Sequence, residues 1–428
     1  MKLPVAQLTP WVGALSSELE AALAGLFGGG VQVRGVAKAA QPWSLLLRLE
    51  ASDLQLELAP AQDGAPAFVR GGGLAVSYRK RPDGTDPYVD AEGKRVLQGI
   101  AERVRALSSD AATEVLAAVE RYRGASGAQD FMLRSYDAAR KEGNLRLGFR
   151  CNQDCGFCWQ SRRWPDPPES FYQTWLDELA NLGATRLVIS GGEPTLHAGL
   201  AELLLRATKV HGMHVCLETN AMRLRNAEYL QGLKQAGLGE VFVSLHSHDA
   251  ARSDALTRAP GTHEKTLAGV RACLAADLAV TLNCVILRET VGELGGFAAF
   301  VCEELTATER VVFSQPSAAF DLEYYNAHSP HLSTVRAALP GAIARLRRAG
   351  IEVECVGTCG FPPCTVPEFP ELWRSLGAEQ VAASAAARHE FAAACDGCAA
   401  RARCLGLRTE YRARHGDSGI AALTQFDP

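Results

Sequence analysis

Short apolar runs alternate with amphipathic stretches along the chain from residue 145 onward. The runs have the length of buried strands and lie at 145–150, 186–190, 213–219, 240–246, 279–287 and 310–315. The stretches between them carry apolar residues at helical spacing, at 171–182, 198–210, 227–236, 264–274 and 294–305. Strands that alternate with helices predict βα units and a parallel sheet. A last helix over 334–349 and a strand-like IEVEC segment follow.

The first 140 residues have a different pattern. Their predicted elements are a helix at 16–26, strands at 44–50, 54–58 and 74–79, and helices at 94–107 and 111–121. Turn signals at Gly71–Gly73 and at 81–86 separate these elements. This order predicts a small α+β domain.

These patterns predict three domains. Residues 1–140 form the N-terminal α+β domain, for which substrate recognition is one interpretation, and residues 141–350 form the α/β domain. After Cys359 the chain is rich in Pro, Gly and Cys, with one helical interval at 381–394. Residues 351–428 are therefore predicted to form a third unit that metal holds together.

Composition places the chain among globular proteins. Apolar residues make up 47% and charged residues 21%, which excludes a disordered or collagen-like chain. No apolar run approaches the roughly 18 residues that a membrane span needs. The segment MKLPVAQLTP lacks the basic and apolar regions of a secretory signal, so we expect a cytoplasmic protein. The net charge of -4 argues against a large nucleic-acid-binding surface.

Cysteine content is the most informative part of the composition. Thirteen cysteines in a cytoplasmic chain predict metal binding rather than a disulfide framework. Nine of them form two groups, which are Cys151, Cys155 and Cys158, and then Cys355, Cys359, Cys364, Cys395, Cys398 and Cys404. The other four lie in apolar strand or helix patterns and are predicted to be small core residues, namely Cys216, Cys273, Cys284 and Cys302.

The first group follows directly on the strand-like run 145–150, as CNQDCGFC over residues 151–158. Three thiolates with the spacing Cys-x3-Cys-x2-Cys can hold three irons of a four-iron cluster and leave the fourth iron without a protein ligand. Buried thiols or structural zinc are the alternatives, but structural zinc normally needs four ligands, and no fourth Cys or His lies nearby in the sequence.

The residues CNQDCGFC resemble the cluster motif of the radical S-adenosylmethionine (radical SAM) superfamily, including Phe157 just before the third Cys. The resemblance covers about residues 143–320 and implies a partial (β/α)6 TIM-type barrel. It implies a 4Fe-4S cluster whose fourth iron binds the amino and carboxylate groups of S-adenosylmethionine. An external one-electron reductant of the flavodoxin or ferredoxin type then allows cleavage of the sulfonium to methionine and a 5′-deoxyadenosyl radical, which abstracts hydrogen.

The second predicted strand of the α/β domain ends in SGGEPT, and Gly191, Gly192 and Glu193 resemble the GGE motif of the family. The resemblance assigns this motif to the methionine amino group. Two glycines let backbone carbonyls approach a ligand closely, and a carboxylate suits an ammonium group. GGEP is also a common turn, so its place after the correct strand supports the assignment.

The next strand ends carry the other candidates for cofactor binding. By the resemblance, Thr219 and Ser244 lie near the ribose hydroxyls and the methionine carboxylate, and Asn283 is the polar residue that meets the cofactor on the fifth strand. Arg258 is a further candidate for the carboxylate. LNCVIL lacks the glycine-containing adenine motif of many members, which leaves the adenine contacts open. His246 is interpreted as a hydrogen-bonded structural residue rather than a proton donor.

The run Cys395-x2-Cys398-x5-Cys404 resembles the SPASM and twitch auxiliary-cluster domains of radical SAM enzymes. The resemblance implies one auxiliary 4Fe-4S cluster, with structural zinc as the alternative. Its expected ligands are Cys364, Cys395, Cys398 and Cys404. Arg408 stands where a full SPASM domain would have its next Cys, so one auxiliary cluster is expected rather than two. Cys355 and Cys359 have no assigned role.

The resemblance implies hydrogen abstraction from an unactivated C–H bond, and it favours the modification of a residue in a peptide or protein. One alternative is a radical SAM enzyme that acts on a small molecule in cofactor or natural-product biosynthesis. A second alternative is a non-catalytic, metal-binding scaffold. No catalytic residue beyond the cofactor ligands can be assigned from the sequence.

Overall fold

The structure, a computed structural model, describes most of the chain. The described residues are 23, 33–37, 45–49, 55–61, 67–79, 91–125, 134–137, 140–158, 166, 169–317, 322–357, 359–376 and 389–428. The chain divides into two compact units, and the boundary lies between Arg134 and Ser135. The predicted turn segment 81–86 and all of the predicted helix 16–26 except Leu23 lie outside the described residues.

The smaller unit contains an antiparallel sheet of five strands in the order β1-β2-β3-β5-β4. The strands are β1 (Val33–Ala37), β2 (Leu45–Leu49), β3 (Gln55–Pro60), β4 (Val69–Gly71) and β5 (Leu74–Arg79). Two helices follow, α1 (Ala91–Arg105) and α2 (Ser109–Ala125). The sequence predicted three of these strands and both helices, whereas β1 and the three-residue strand β4 were missed.

Apolar residues at alternate positions of the strands form the core of this unit. Leu56 and Leu58 on β3 and Leu74 and Val76 on β5 are fully buried, as expected for residues two apart on one face. They cluster with buried residues of α1, which are Leu97, Ile100, Ala101 and Val104. The predicted glycine turn is present, since Gly72 and Gly73 have positive φ values of 60° and 100° between β4 and β5.

The larger unit contains an eight-stranded sheet in the order β13-β12-β11-β10-β9-β8-β7-β6. The strands are β6 (Arg134–Asp137), β7 (Glu142–Leu147), β8 (Arg186–Gly191), β9 (His214–Thr219), β10 (Glu240–Ser244), β11 (Ala279–Val285), β12 (Arg310–Ser314) and β13 (Glu352–Glu354). Each pair from β7–β8 to β12–β13 is parallel. The α/β class and the parallel sheet are therefore confirmed, and all six predicted strands lie side by side in chain order.

Helices connect the strands of this sheet. They are α3 (Glu169–Asn181), α4 (Leu200–Leu205), α5 (Ala227–Gln235), α6 (Ala250–Thr257), α7 (His263–Ala275), α8 (Leu294–Glu304), α9 (Leu322–His328) and α10 (Leu332–Arg348). A π-helical turn over Arg206–Val210 continues α4. The sequence did not predict α6 and α9, because each is only about two turns long. None of the described helices combines the length and the apolar character needed to cross a membrane.

Strand β7 ends three residues earlier than predicted. Gly148 has a φ of 69° and so leaves the extended conformation, and the carboxylate of Asp166 accepts a hydrogen bond from the Phe149 N–H at 2.6 Å. A Cβ at position 148 would collide with that carboxylate. The chain therefore turns sharply at Gly148, immediately ahead of the first cysteine group.

Residues after 350 belong to the same compact unit as the parallel sheet. They form a two-stranded antiparallel ribbon, β14 (His389–Glu390) and β15 (Leu407–Arg408), and helix α11 (Thr409–His415). The helix predicted over 381–394 lies partly outside the described residues, and from 389 onward the prediction is wrong. The described part is β14 and the start of a single 3-10 turn, Ala393–Cys395.

Three of the four scattered cysteines are core residues, as predicted. Cys216, Cys273 and Cys284 are buried. Cys302 on α8 is only half-buried, and its thiol lies 3.9 Å from the carbonyl oxygen of Arg345.

Charged residues at the first positions of four strands form a network. Arg186 of β8 donates to both carboxylate oxygens of Glu240 of β10, each at 2.7 Å, and to Glu142 of β7 at 3.0 Å. His214 of β9 lies 3.0 Å from the same Glu240 carboxylate. Burial alone would raise the pKa of Glu240, but hydrogen bonds from Arg186 and His214 outweigh it and lower the pKa to about 2. The amino-terminal edge of the sheet is therefore held together by ion pairs.

We expect Glu240→Gln to lower the free energy of unfolding at pH 7 by about 2 to 3 kcal/mol. Because the pKa in the folded state lies below the ordinary value of 4.5, the carboxylate stabilises the fold above pH 4.5, and this stabilisation is lost as the pH falls toward about 2. Urea unfolding measured from pH 7 to pH 3 should show a flatter pH dependence in the variant. Glu304→Gln breaks an exposed pair with Arg271 and serves as the control, with an expected change below about 0.5 kcal/mol. Equal effects of the two substitutions would contradict the prediction.

Candidate active site

The loop CNQDCGFC, residues 151–158, lies at the carboxyl edge of the parallel sheet and is called the cluster loop below. The structure brings its three cysteines together, since the pKa of the Cys155 thiol is raised first by burial and then by the neighbouring thiols of Cys158 and Cys151. A turn closes through the Cys158 N–H, which donates to the Cys155 carbonyl at 3.1 Å. The Gln153 N–H points at the Cys151 sulfur at 3.4 Å.

Three polar contacts hold the cluster loop against other elements. The Asp154 N–H donates to the Thr257 carbonyl of α6 at 2.8 Å. The Gln153 amide lies 3.4 Å from the Thr262 hydroxyl ahead of α7. The Asn152 carbonyl oxygen accepts from the Asn220 amide, just beyond β9, at 2.7 Å. Sequence reasoning missed these positions, because their partners lie 68 to 109 residues away in the chain.

Gly191 and Gly192, at the end of β8, lie against the segment that leads into the cluster loop. The Glu193 N–H donates to the Arg150 carbonyl at 2.8 Å, and the Gly192 N–H donates to the Gly148 carbonyl at 3.1 Å. A Cβ at Gly192 would collide with the Arg150 carbonyl, and one at Gly191 would lie 2.7 Å from the Leu147 carbonyl. Close contact between two backbone segments therefore requires both glycines.

Glu193 ties the ends of β8 and β9 together. Its carboxylate accepts hydrogen bonds from the Thr195 N–H and hydroxyl at 3.0 and 2.6 Å, from the Thr219 hydroxyl at 2.7 Å and from the Asn220 N–H at 2.8 Å. Burial raises the pKa of Glu193, and these hydrogen bonds partly offset the rise. The Thr219 hydroxyl also accepts from the Ala221 N–H at 3.0 Å. The Glu193 carboxylate and the Thr219 hydroxyl, both of residues predicted to contact the cofactor, thus hold the neighbouring ends of β8 and β9 in position.

Ser244 and Asn283 present polar groups of a different kind. They lie opposite each other on β10 and β11, and both are half-buried. The Asn283 carbonyl oxygen accepts from the Ser314 hydroxyl at 2.7 Å, which orients the amide. Within the described part of the chain, the Asn283 amide nitrogen and the Ser244 hydroxyl have no protein partner. These two predicted residues therefore keep hydrogen-bonding capacity for a ligand.

Phe157 is buried, and its ring packs edge-to-face on His246 with centroids 4.7 Å apart. Leu256, Val285 and Leu287 complete this apolar cluster beside the loop. The His246 Nδ1 accepts from the Val285 N–H at 3.2 Å, so the ring proton is on Nε2. Burial lowers the pKa of His246 to about 4, and the ring is neutral near pH 7. This agrees with the structural interpretation of His246.

Arg258 lies beside the cluster loop. Its positive charge lowers the pKa of Cys155, against the larger opposing effect of burial. The guanidinium lies over the ring of Tyr324 on α9, 5.1 Å from the ring centroid. A Cβ at Gly156 would strike the same ring, so Tyr324 covers the middle of the loop. Sequence reasoning had no means of placing α9 at this point.

Four cysteines of the second group line a cavity in the C-terminal part of the chain. Cys364, Cys395, Cys398 and Cys404 all contribute to its wall. The Leu423 N–H points at the Cys398 sulfur at 3.3 Å, and the Gly406 N–H points at the Cys404 sulfur at 3.2 Å. Burial raises the pKa of Cys404 to about 12, with smaller contributions from the neighbouring thiols. The four predicted ligands are therefore gathered at one place, called the C-terminal cysteine site below.

Cys355 and Cys359 are placed differently. Cys355 is fully buried and its pKa is raised by that burial, whereas Cys359 is exposed. Neither belongs to the residues that line the cavity. Among the described residues, no group of three or more His, Cys, Asp and Glu side chains is arranged to hold a single metal ion.

Residues 145–301 match the family model described as Radical SAM superfamily. The chain therefore contains a radical SAM domain, which includes the cluster loop, Gly191–Glu193, Ser244 and Asn283. The family resemblance drawn from CNQDCGFC is confirmed.

Curated relatives match part of the chain. The PqqA peptide cyclase of Rhodopseudomonas palustris is 33% identical over 151 residues, which are 34% of this chain and 40% of that protein. The GTP 3′,8-cyclase of Hydrogenovibrio crunogenus is 35% identical over 164 residues, which are 35% of this chain and 48% of that protein. The chain thus spans less than half the length of these relatives. The crystal structure of Streptococcus suis SuiB covers 75% of this chain and 71% of that chain, at 15% identity and a TM-score of 0.42.

We expect Gly192→Ala to destabilise the site, because its Cβ would meet the Arg150 backbone carbonyl, which cannot rotate away. The predicted cost is about 1 to 3 kcal/mol, together with reduced iron retention by the cluster loop. Thermal unfolding and iron analysis of anaerobically prepared protein measure both effects. Gly232→Ala on α5 is the matched control, since its Cβ would enter open space and alanine favours a helix. If Gly192→Ala changed neither thermal unfolding nor the iron content, the prediction would be contradicted, because the two segments could then separate easily.

Proposed function

We propose that this chain is a radical SAM enzyme in which Cys151, Cys155 and Cys158 hold a 4Fe-4S cluster and its bound S-adenosylmethionine. The observation that carries the proposal is the gathering of three thiols on one loop, directly after the segment that packs against the Gly191–Glu193 turn, inside a radical SAM domain.

The donor set of the cluster loop suits such a group. A neighbouring positive charge and an N–H donor act toward the thiolate form that iron requires, against the burial that raises the pKa of Cys155. Arg258 supplies the positive charge, and the Gln153 N–H supplies a hydrogen bond to the Cys151 sulfur. The residues present therefore fit a cluster held through three cysteines.

When bound, the cluster supplies the electron that cleaves S-adenosylmethionine to methionine and a radical able to abstract hydrogen from carbon. The protein residues perform the remaining tasks. Asn152, Gln153 and Asp154 hold the loop in place through β9, α7 and α6. Ser244 and Asn283 offer hydrogen bonds to polar groups of the cofactor. Phe157 and its apolar neighbours exclude water from one side of the loop.

The proposal includes an auxiliary 4Fe-4S cluster at the C-terminal cysteine site. Four thiols line one cavity, and N–H groups point at two of the sulfurs, which suits thiolate ligands. One cluster is proposed rather than two, because Arg408 is buried, donates to the Pro316 carbonyl at 3.0 Å and pairs with Glu410 at 2.5 Å. Structural zinc is the alternative for these four ligands.

As substrate we propose a peptide or protein residue, which the enzyme modifies oxidatively. The PqqA peptide cyclase relative supports this choice. The auxiliary cluster would bind the substrate or accept the electron left after hydrogen abstraction, and the N-terminal unit would recognise the substrate. The second candidate is a small molecule, and the GTP 3′,8-cyclase relative supports it at similar identity.

The genes beside the gene for this chain would distinguish a peptide substrate from a small-molecule substrate. A short open reading frame rich in Cys or Gly beside this gene would encode the peptide, and its product should change mass when incubated anaerobically with the reconstituted protein, reductant and S-adenosylmethionine. An unchanged peptide, together with consumption of a small molecule, would favour the second candidate.

We expect Cys158→Ala to abolish reductant-dependent formation of 5′-deoxyadenosine and to remove about half of the iron. Cys404→Ala should remove a similar share of iron but leave some cleavage of S-adenosylmethionine that is uncoupled from product formation. Anaerobic reconstitution, iron analysis and chromatography of the nucleoside measure these outcomes.

Cys302→Ala, which changes a half-buried thiol outside both groups, is the control and should behave as the unchanged protein. If the unchanged protein bound iron but released no 5′-deoxyadenosine, it would be a metal-binding scaffold. Equal loss of cleavage in the Cys158 and Cys404 variants would contradict the proposed division between the two sites.

A further inference from the structure

The segment 418–423, called the tail segment here, forms part of the wall of the C-terminal cysteine site. It follows α11, and Ile420, Ala421 and Ala422 line the cavity. The Leu423 N–H points at the Cys398 sulfur at 3.3 Å. One of the four thiols thus receives a hydrogen bond from a stretch of chain that itself contains no cysteine.

Contacts on both sides hold the tail segment in position. The Tyr411 hydroxyl donates to the Ser418 carbonyl at 3.0 Å, and the Ala399 N–H donates to the Leu423 carbonyl at 2.8 Å. Gly419 has a φ of 82°, and a Cβ there would lie 2.9 Å from His331. The segment is therefore fitted closely against the residues around it.

Arg336 on α10 joins the tail segment to one of the thiols. Its Nη2 donates to the Gly419 carbonyl at 2.7 Å, and its Nε donates to the Cys364 carbonyl at 2.8 Å. A single guanidinium fork therefore sets the spacing between the tail segment and Cys364, which a lysine could not do with one ammonium group.

Hydrogen bonds to cluster sulfurs are among the factors that set the reduction potential of an iron-sulfur cluster. A donor N–H favours the more negatively charged state, which is the reduced state, and so raises the potential. A positive guanidinium beside a ligand acts in the same direction.

We propose that Arg336 and the tail segment are positioning elements that raise the reduction potential of the auxiliary cluster, by holding the Leu423 N–H against the Cys398 sulfur and the Arg336 guanidinium beside Cys364. This inference rests on the proposed auxiliary cluster.

The test removes one donor at a time. Leu423→Pro deletes the N–H that bonds the Cys398 thiol, whereas Ala422→Pro deletes the preceding N–H, for which the described residues provide no acceptor. Both are made in the full chain carrying Cys158→Ala, so that the auxiliary cluster is the one observed. Redox titration followed by electron paramagnetic resonance should show a lower midpoint potential for Leu423→Pro and little change for Ala422→Pro.

A second pair of variants leaves the backbone intact. Arg336→Gln should also lower the potential and speed the loss of iron to a chelator. Arg348→Gln, an exposed arginine on the same helix, should do neither. If Arg336→Gln kept the potential and iron retention of the Arg348 variant, or if Leu423→Pro matched Ala422→Pro, the inference would be overturned.

The Cys158→Ala protein separates failure of the auxiliary cluster from failure of the role proposed for Arg336 and the tail segment. Zinc instead of iron in the Cys158→Ala background would overturn the auxiliary cluster itself, and the inference with it. An iron-sulfur spectrum that Cys404→Ala removes, but whose potential ignores Arg336 and the tail segment, would leave the cluster in place and reject only the role proposed for these residues.

Discussion

The carboxylate of Glu193 joins the carboxyl ends of two neighbouring strands, because it accepts hydrogen bonds from Thr195, Thr219 and the Asn220 backbone. Asn220 then contacts Asn152 of the cluster loop. A buried carboxylate is costly unless such donors surround it, so the four hydrogen bonds and the burial support one another. The position of the three thiols depends on this arrangement more than on any contact between the cysteines.

The two edges of the parallel sheet carry different kinds of interaction. Arg186, Glu240, Glu142 and His214 form ion pairs where the strands begin. At the opposite edge, uncharged donors and close backbone contacts shape the site, and Ser244 and Asn283 retain hydrogen-bonding capacity. This distribution matches parallel barrels in general, in which one face supports the fold and the other holds the chemistry.

The sequence predicted the parallel strands, the cysteine groups and the strand ends that carry polar residues, because periodicity and spacing are local properties. It did not predict that Glu193 and Thr219 bond each other, since that depends on the register of β8 against β9. Likewise, nothing near the last cysteine indicated that Leu423 reaches back to Cys398. The short helices α6 and α9 were missed because two turns give too little periodicity.

The conformation of the cluster loop depends largely on contacts from other elements. Its contacts come from Asn220, Thr257 and Thr262, which are reached only after two or more further βα units of the chain. Contacts at such separation form late, since the intervening chain must first be ordered. The loop therefore takes its shape only once much of the parallel sheet has formed.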